Sequence, residues 1–414
     1  MTTMGRAYRE VIGLTGPLLP VVSFLARLPT ATVQFGSVLL VARTSGSLAV
    51  AGLTGGALAL GQVACGPLVG RLADRHGQRT VVLAFSLGNA LALVALVAGA
   101  LARLPTPALA LLGAATGATV PLIGPLGRAR LVALARRAQA PDSTVSTALS
   151  FESTLDEISF VLGPALVGLA AVLAHPAYAL AGAALLVAGC GSAFALHPTA
   201  TGRAVKPHTG RAARPRMPRS VHALRAALAL QGAMFGACQA GITALTERLG
   251  QPDQAGLVYA AMGVMSAVAG LSMAAVPARV GLGTRWRVAT AAAFVLSLPL
   301  LWTDGLGALY AAVTVLGVAY APHLITVFGL TERTVPPPRL AESMASATSA
   351  LVAGQALALA GTGRLAETYG PVAAFGTASL AAALACATAL TARPTPYEPE
   401  SPRSGHARVP TSRG

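Results

Sequence analysis

Twelve stretches of this chain are long and apolar enough to cross a lipid bilayer, and that feature fixes most of what the sequence can become. A membrane helix needs about 20 mostly apolar residues, because the hydrocarbon core is about 30 Å thick and a helix rises about 1.5 Å per residue. The stretches run approximately over 19–42, 48–70, 80–102, 105–127, 145–171, 177–197, 221–247, 254–276, 287–302, 306–330, 342–365 and 371–391. Such lengths fit helices better than the tilted strands of a barrel, which span in about 9 to 11 residues. Composition agrees: 54% of the 414 residues are hydrophobic and 11% charged, where soluble domains carry roughly 25% charged residues. A soluble fold would lack polar residues to cover its surface. The expectation is an all-α membrane protein with twelve transmembrane helices. The first stretch is expected to be retained, because it continues past the about 7 to 15 residues of a signal core and shows no cleavage box.

The formal charge is +16. In a soluble protein this would suggest a nucleic-acid partner; here the bases, all arginine save Lys206, punctuate apolar runs and form no stripe, so no nucleic acid is expected. They report orientation instead, since Lys and Arg in short loops stay on the cytoplasmic side. With the N-terminus inside, 25 of the 30 bases fall on the cytoplasmic side. Arg43, Arg103, Arg248 and Arg364 remain outside, and Arg27 lies in or near the first span. Both termini are therefore expected to be cytoplasmic, in a multi-pass protein of the cell (plasma) membrane, and Trp302 beside Asp304 marks the outer interface. Cys65, Cys190, Cys238 and Cys386 stand singly in apolar segments, so neither a metal site, a cofactor nor a disulfide framework is indicated. No HExxH, GxSxG or Walker loop is present, and no enzyme is expected.

The spans divide six and six. Residues 1–197 are read as one six-helix bundle, 198–220 as a basic cytoplasmic linker, 221–391 as a second bundle and 392–414 as a disordered cytoplasmic tail rich in Pro, Ser and Arg. The linker bases serve as an inside-retention signal or meet anionic lipid head groups. Equal halves suggest duplication, which places a substrate site between them near mid-membrane. The internal echo is faint. Aligning Gly77 with Gly283 pairs Arg79 with Arg285 but sets Val280 against Asp74.

The loop Gly70-Arg71-Leu72-Ala73-Asp74-Arg75-His76-Gly77-Gln78-Arg79 resembles the signature G-x-L-a-D-r-x-G-x-r of the major facilitator superfamily, which lies between the second and third helices. With the twelve spans and the basic linker, the resemblance covers about residues 10–391. It implies two bundles that rock about a central site. It also implies that Gly70, Arg71, Asp74, Arg75, Gly77 and Arg79 latch the halves in one state. Physically, Gly70 and Gly77 permit close approach and positive φ, and Asp74 is placed to cap a helix or to pair with Arg71, Arg75 or Arg79; the alternative is a positive-inside turn with an incidental acid. The fifth span, Ser159 to Gly168, partly resembles the G-x-x-x-G-P-x-x-G-G pattern of the drug and proton antiporter branch and keeps Gly163 and Pro164 as a helix bend. That branch often carries an Arg four residues before a Gly in the fourth span. Here Gly113 precedes Gly117 at that distance, so that Arg is absent.

Ionisable groups at membrane depth are functional candidates by default. The fifth span holds Glu152, Asp156 and Glu157. Glu152 and Asp156 are four apart and share a face, while Glu157 points about 100° away. Two close carboxylates in a low dielectric favour a bound proton, and Arg27 of the first span is the expected partner. Three readings stand together: a proton-coupling site formed by Glu152, Asp156, Glu157 and Arg27, a static buried ion pair, or a Glu152 at the cytoplasmic boundary.

The resemblance assigns the first, fourth, seventh and tenth spans to the cavity, which suggests Thr30, Gln34, Thr116, Thr119, Gln231, Gln239, Tyr310, Tyr320 and His323 as substrate contacts. Such residues also serve as bonds between helices, and His323, after Pro322, is expected near the membrane interface. Few aromatic residues and no evident cationic clamp favour neutral or cationic amphiphiles. The expected function is proton-coupled efflux of small hydrophobic or cationic compounds by alternating access, as in multidrug antiporters. The partners are a small-molecule substrate, protons and the lipid bilayer, and the protein is read as a monomer. A proton-coupled importer of a small nutrient and a non-transporting membrane sensor are the alternatives.

Overall fold

The computed structural model describes residues 3–200, 217–251, 254–277 and 279–396; most of the expected linker and the tail from 397 onward lie outside the described residues. No water satisfies backbone groups inside a bilayer, so an apolar segment must satisfy them internally, as a helix does. The described residues are accordingly helical, without a strand.

A helix that the sequence reading did not anticipate, α1 (Thr3–Thr15), comes first. It is followed by α2 (Leu18–Ser45), α3 (Leu48–His76), α4 (Gln78–Leu101), α5 (Thr106–Ala118), α6 (Ile123–Arg137), α7 (Asp142–Leu173) and α8 (Pro176–Leu196). The second series is α9 (Ser220–Arg248), α10 (Gln254–Ser272), α11 (Leu282–Ser297), α12 (Leu306–Thr334), α13 (Leu340–Tyr369) and α14 (Pro371–Thr391). Among the described residues, eleven segments are long and apolar enough to cross a membrane, α5 and α6 counting as one. The expected ninth span is the exception: α11 has 16 residues and tightens into a 3-10 turn over Leu298–Trp302, where Pro299 removes a helical amide donor.

The fourth span departs furthest from expectation. Read as ending at 127, it breaks after Ala118, resumes at Ile123 and runs to Arg137. Pro121 has no amide donor and disfavours the helical region at Val120, and Leu122 adopts a left-handed backbone with φ 51°. Arg128 and Arg130, counted from sequence among cytoplasmic loop bases, therefore sit inside a helix and are buried.

Glycine sets the closest helix contacts. A Cβ on Gly117 of α5 would fall on the Leu58 carbonyl of α3, and one on Gly354 of α13 would fall on the Ala229 carbonyl of α9. Without a hydrophobic drive between helices in lipid, backbone approach of this kind supplies the packing energy. Leu40, Leu58, Leu93 and Leu180 fill the core of the first group of helices, and Met262, Leu309, Val313 and Phe375 that of the second. The groups meet where α3 crosses α13 and where α7 crosses α10 and α12. Leu60, Leu91, Leu111, Leu185 and Leu357 point outward and are exposed. Such an apolar belt suits lipid and not water, and the chain is a multi-pass membrane protein.

Candidate functional site

The spacing of four that places Glu152 and Asp156 one helical turn apart on α7 aims both at α2, and Arg27 takes them together. Its Nη2 meets Glu152 Oε2 at 2.5 Å and its Nη1 meets Asp156 Oδ1 at 2.8 Å. The remaining donors reach the Glu152 carbonyl at 2.9 Å, the Ser23 carbonyl at 3.1 Å and Ser23 Oγ at 2.6 Å. All five guanidinium N–H groups are thus used, and Arg27 and Glu152 are buried. The second oxygen of Asp156 accepts from Arg128 of α6, whose guanidinium also lies 4.1 Å over the Phe328 ring of α12. Gly124 and Gly127 of α6 make room: a Cβ there would approach the Asp156 and Glu152 carboxylates to 2.8 and 2.7 Å. Two cations and two acids thus neutralise one another at depth. Removal of one partner from such a buried group costs about 3–5 kcal/mol.

This cluster forms one wall of an open cavity between the two groups of helices, with about 1020 Å³ of empty space including its mouth. Arg27, Thr30, Arg128, Asp156 and Glu157 line one side, and Gln231, Phe235, Tyr320, Phe328 and Gln355 the other. Glu152 lies behind Arg27, outside the lining. Gln34 also stands back and donates to Gln62 at 2.9 Å, while Gln62 reaches the cavity. Thr116 and Thr119 turn toward α4, where Asn89 Nδ2 donates to the Thr116 carbonyl at 2.7 Å and to Thr119 Oγ1 at 3.2 Å. Tyr310 donates to Gln254 at 2.9 Å and, like Gln239, is not in the lining. His323, expected near the membrane interface, is 2% exposed and lies 11 residues before the end of α12 at Thr334. Gly163 lets α7 approach α2, since a Cβ there would touch Ala31 and Thr32, and Pro164 sits within the unbroken α7.

At one end of the molecule the signature loop is the last turns of α3, closed by Gly77 at φ 86°. Asp74 caps a helix, and the helix belongs to the other group. Its carboxylate accepts from the backbone N–H groups of Ala341 at 3.2 Å and Glu342 at 2.8 Å, in the first turn of α13, where amides lack helical partners and the dipole favours an anion. Arg71 donates to Glu342 Oε1 from Nη2 at 2.9 Å and from Nε at 3.2 Å, and Arg339 reaches the same carboxylate. Gly70 permits the crossing, since a Cβ there would press on Ala345 at 2.7 Å. Arg75 and Arg79 are exposed. A second junction joins α6 and α7 to α12: Arg136 meets Asp142 at 3.0 Å and Glu332 at 3.1 Å, and Arg333 meets Asp142 at 2.9 Å. Arg285, the echo of Arg79, donates into its own turn, to the carbonyls of Val276, Pro277 and Val280.

The sequence reading missed Arg128, Gln62, Phe235, Gln355 and Glu342. Arg128 alone had a signal, standing one residue beyond the expected end of a span. Among the described residues no cluster could hold a metal ion, and the four cysteines are free.

Two helical groups about a charged central cavity, bridged at one end, define a membrane carrier. The sequence profile of the Major Facilitator Superfamily matches residues 19–350, and the chain belongs to that superfamily of transporters. Solved structures with the same fold include the human organic anion transporter MFSD10 (TETRAN), 20% identical with a TM-score of 0.66 over 94% of this chain and all of that one. A bacterial homologue of the iron transporter ferroportin in an outward-facing state is 15% identical with a TM-score of 0.72, covering 90% of this chain and 97% of that one. FucP in the outward conformation, elsewhere described as the E. coli fucose:proton symporter, is 14% identical with a TM-score of 0.67 over 92% of this chain and 100% of its own. Comparison with curated proteins gives no match.

Proposed function

We propose that this transporter exports small hydrophobic or cationic compounds across the plasma membrane in exchange for protons, as a monomer with twelve spans and both termini in the cytoplasm. Here α11 with its 3-10 extension is the ninth span, and residues 1–197 and 221–391 are the two moving units. The observation that carries the reading is Arg27 held between Glu152 and Asp156, with Arg128 on the far oxygen of Asp156, at the wall of a cavity between those units. A proton taken up by Asp156 removes the charge that holds two arginines. Those arginines are then free to shift with α2 and α6, and the closed junctions at Asp74 and Glu332 are where such a shift would be felt. The arginine bias of the loops at the Asp74 end supports the cytoplasmic side as the closed one.

The test is accumulation of a fluorescent lipophilic cation in cells that express the wild type, Glu152→Gln or Asp156→Asn, before and after a protonophore. Lower accumulation with wild type alone, abolished when the gradient collapses, is the expected outcome. Higher accumulation with wild type would mean import, and intact gradient-driven efflux in both variants would remove proton coupling from this cluster.

A further inference from the structure

The arginines that hold Glu152 and Asp156 do not hold Glu157. Among the described residues no ion pair reaches its carboxylate, which faces the cavity. What it does face is set by the crossing of α7 and α10. A Cβ on Gly270 would touch Thr154 Oγ1 and one on Gly263 would touch Val161 Cγ2. Seven residues forward on α7 thus correspond to seven back on α10, and the level midway sets Glu157 beside Ser266. Ser266 is 1% exposed, and its Oγ stands beside the Glu157 carboxylate.

Near this level Gln231 Oε1 and Tyr259 OH have no hydrogen-bond partner, and the Tyr320 hydroxyl stands beside the Cys238 thiol. Gln231 and Tyr320 are buried and line the same cavity as Glu157. The Phe235 ring packs 4.9 Å from the Tyr259 ring and 5.4 Å from that of Tyr320, which ties the three rings into one wall. The Gln231 amide is not free to turn, because its Nε2 donates to the Tyr320 carbonyl at 2.9 Å and a carbonyl only accepts. Its Oε1 is therefore a fixed acceptor. A buried acceptor left unpaired is costly, and the fixed Gln231 oxygen across the cavity from the Glu157 carboxylate describes the imprint of a hydrogen-bond donor.

We infer that Glu157, Gln231 and Tyr320, with Ser266 beside the Glu157 carboxylate, form a subsite for the protonated amino group of an amphiphilic substrate, and that it selects cations bearing N–H over quaternary ammonium. The inference rests on the central cavity as the substrate site. The carboxylate, the fixed amide oxygen and the Tyr320 hydroxyl, which also accepts, give an ammonium group a partner for each N–H. A quaternary cation would keep the aromatic contacts of Phe235 and its neighbours and leave the acceptors unmet. An anionic group would meet Glu157 directly.

The experiment measures binding of 2-(2-naphthyl)ethylamine, its N,N,N-trimethylammonium analogue and 3-(2-naphthyl)propanoate to the purified full chain in detergent by calorimetry. The amine should bind at least about tenfold more tightly than the other two, and Glu157→Gln should weaken it about tenfold or more, as loss of a charged hydrogen bond does. Tyr320→Phe and Ser266→Ala should each weaken it about twofold to tenfold, and they carry the test if Glu157→Gln does not give a monodisperse protein. Equal binding of amine and quaternary analogue, preference for the propanoate, or an amine affinity untouched by all three variants would overturn the subsite and leave the cavity as a substrate site. Silence of all three probes would overturn the subsite together with the cationic-amphiphile reading of the cavity.

Discussion

The Asp74 carboxylate accepts the backbone N–H of Glu342 at 2.8 Å while the Glu342 carboxylate holds Arg71 at 2.9 Å, so each of the two residues anchors the other's helix. The contact joins α3 to α13 and must break if the two groups of helices separate at this end. Asp74→Asn keeps one acceptor oxygen but loses the charge and the second strong acceptor. Helix caps are worth about 0.5–2 kcal/mol, so the open population should rise about twofold to thirtyfold. Ser343 is buried beside this contact. In a background without native cysteines, maleimide labelling of Ser343→Cys should accelerate by that factor in the Asp74→Asn variant; an unchanged rate would count against a closing role for Asp74.

The Arg27 cluster predicts an asymmetry between breaking and replacing a buried pair. Arg27→Met leaves Glu152 and half of Asp156 uncompensated and should lower stability by about 3–5 kcal/mol. Arg27→Met combined with Glu152→Gln leaves only the Asp156 and Arg128 pair charged, and should recover part of that loss. Thermal unfolding in detergent decides: a double variant less stable than Arg27→Met would mean that the charges are not mutually compensating.

How much of this was legible in the sequence follows from what each contact depends on. Glu152, Asp156 and Arg27 could be read because helical periodicity alone puts the acids on one face, and an arginine at similar depth in a neighbouring span is their natural partner. Arg128 was missed because Gly124, Pro125 and Gly127 look like the end of a span, whereas the chain breaks earlier, at Pro121, and resumes. Gln62, Phe235 and Gln355 depend on the rotation of whole helices, which hydrophobicity leaves undetermined where every face is apolar. Glu342 depends on the register of α3 against α13, set by Gly70 and Ala345 and invisible in either segment alone. The apolar lengths were read well except at the fourth span, which runs on to Arg137, and at α11, where Pro299 shortens the helix within an otherwise apolar run.

Arg128 holds Asp156 and stacks on Phe328, so it links α6, α7 and α12. Lysine would retain the charge but neither the planar stack nor the fork of donors. Arg128→Lys should therefore lose most of the coupling with Phe328. A double-mutant cycle with Phe328→Leu should read about 0.5–2 kcal/mol when arginine is present, and zero within error in the Arg128→Lys background. Equal coupling in the two backgrounds would reduce the Phe328 contact to simple packing.

The Glu332 side chain is 8% exposed, while its partner Arg136 and the adjoining Asp142 and Arg333 are about half exposed. Exposed ion pairs contribute about 0–1 kcal/mol and are screened by salt, so Glu332→Gln alone should speed labelling of Ser343→Cys only a few fold and lose that effect at high salt. The junctions at Asp74 and Glu332 share no residue, yet both close the same end between the same two groups. If they act on one opening equilibrium, their free energies add and their effects on the labelling rate multiply. The variant with both Asp74→Asn and Glu332→Gln should thus label at the product of the two single accelerations. A double variant no faster than Asp74→Asn would show that the Glu332 junction opens independently, and the two groups would not then move as rigid units at this end.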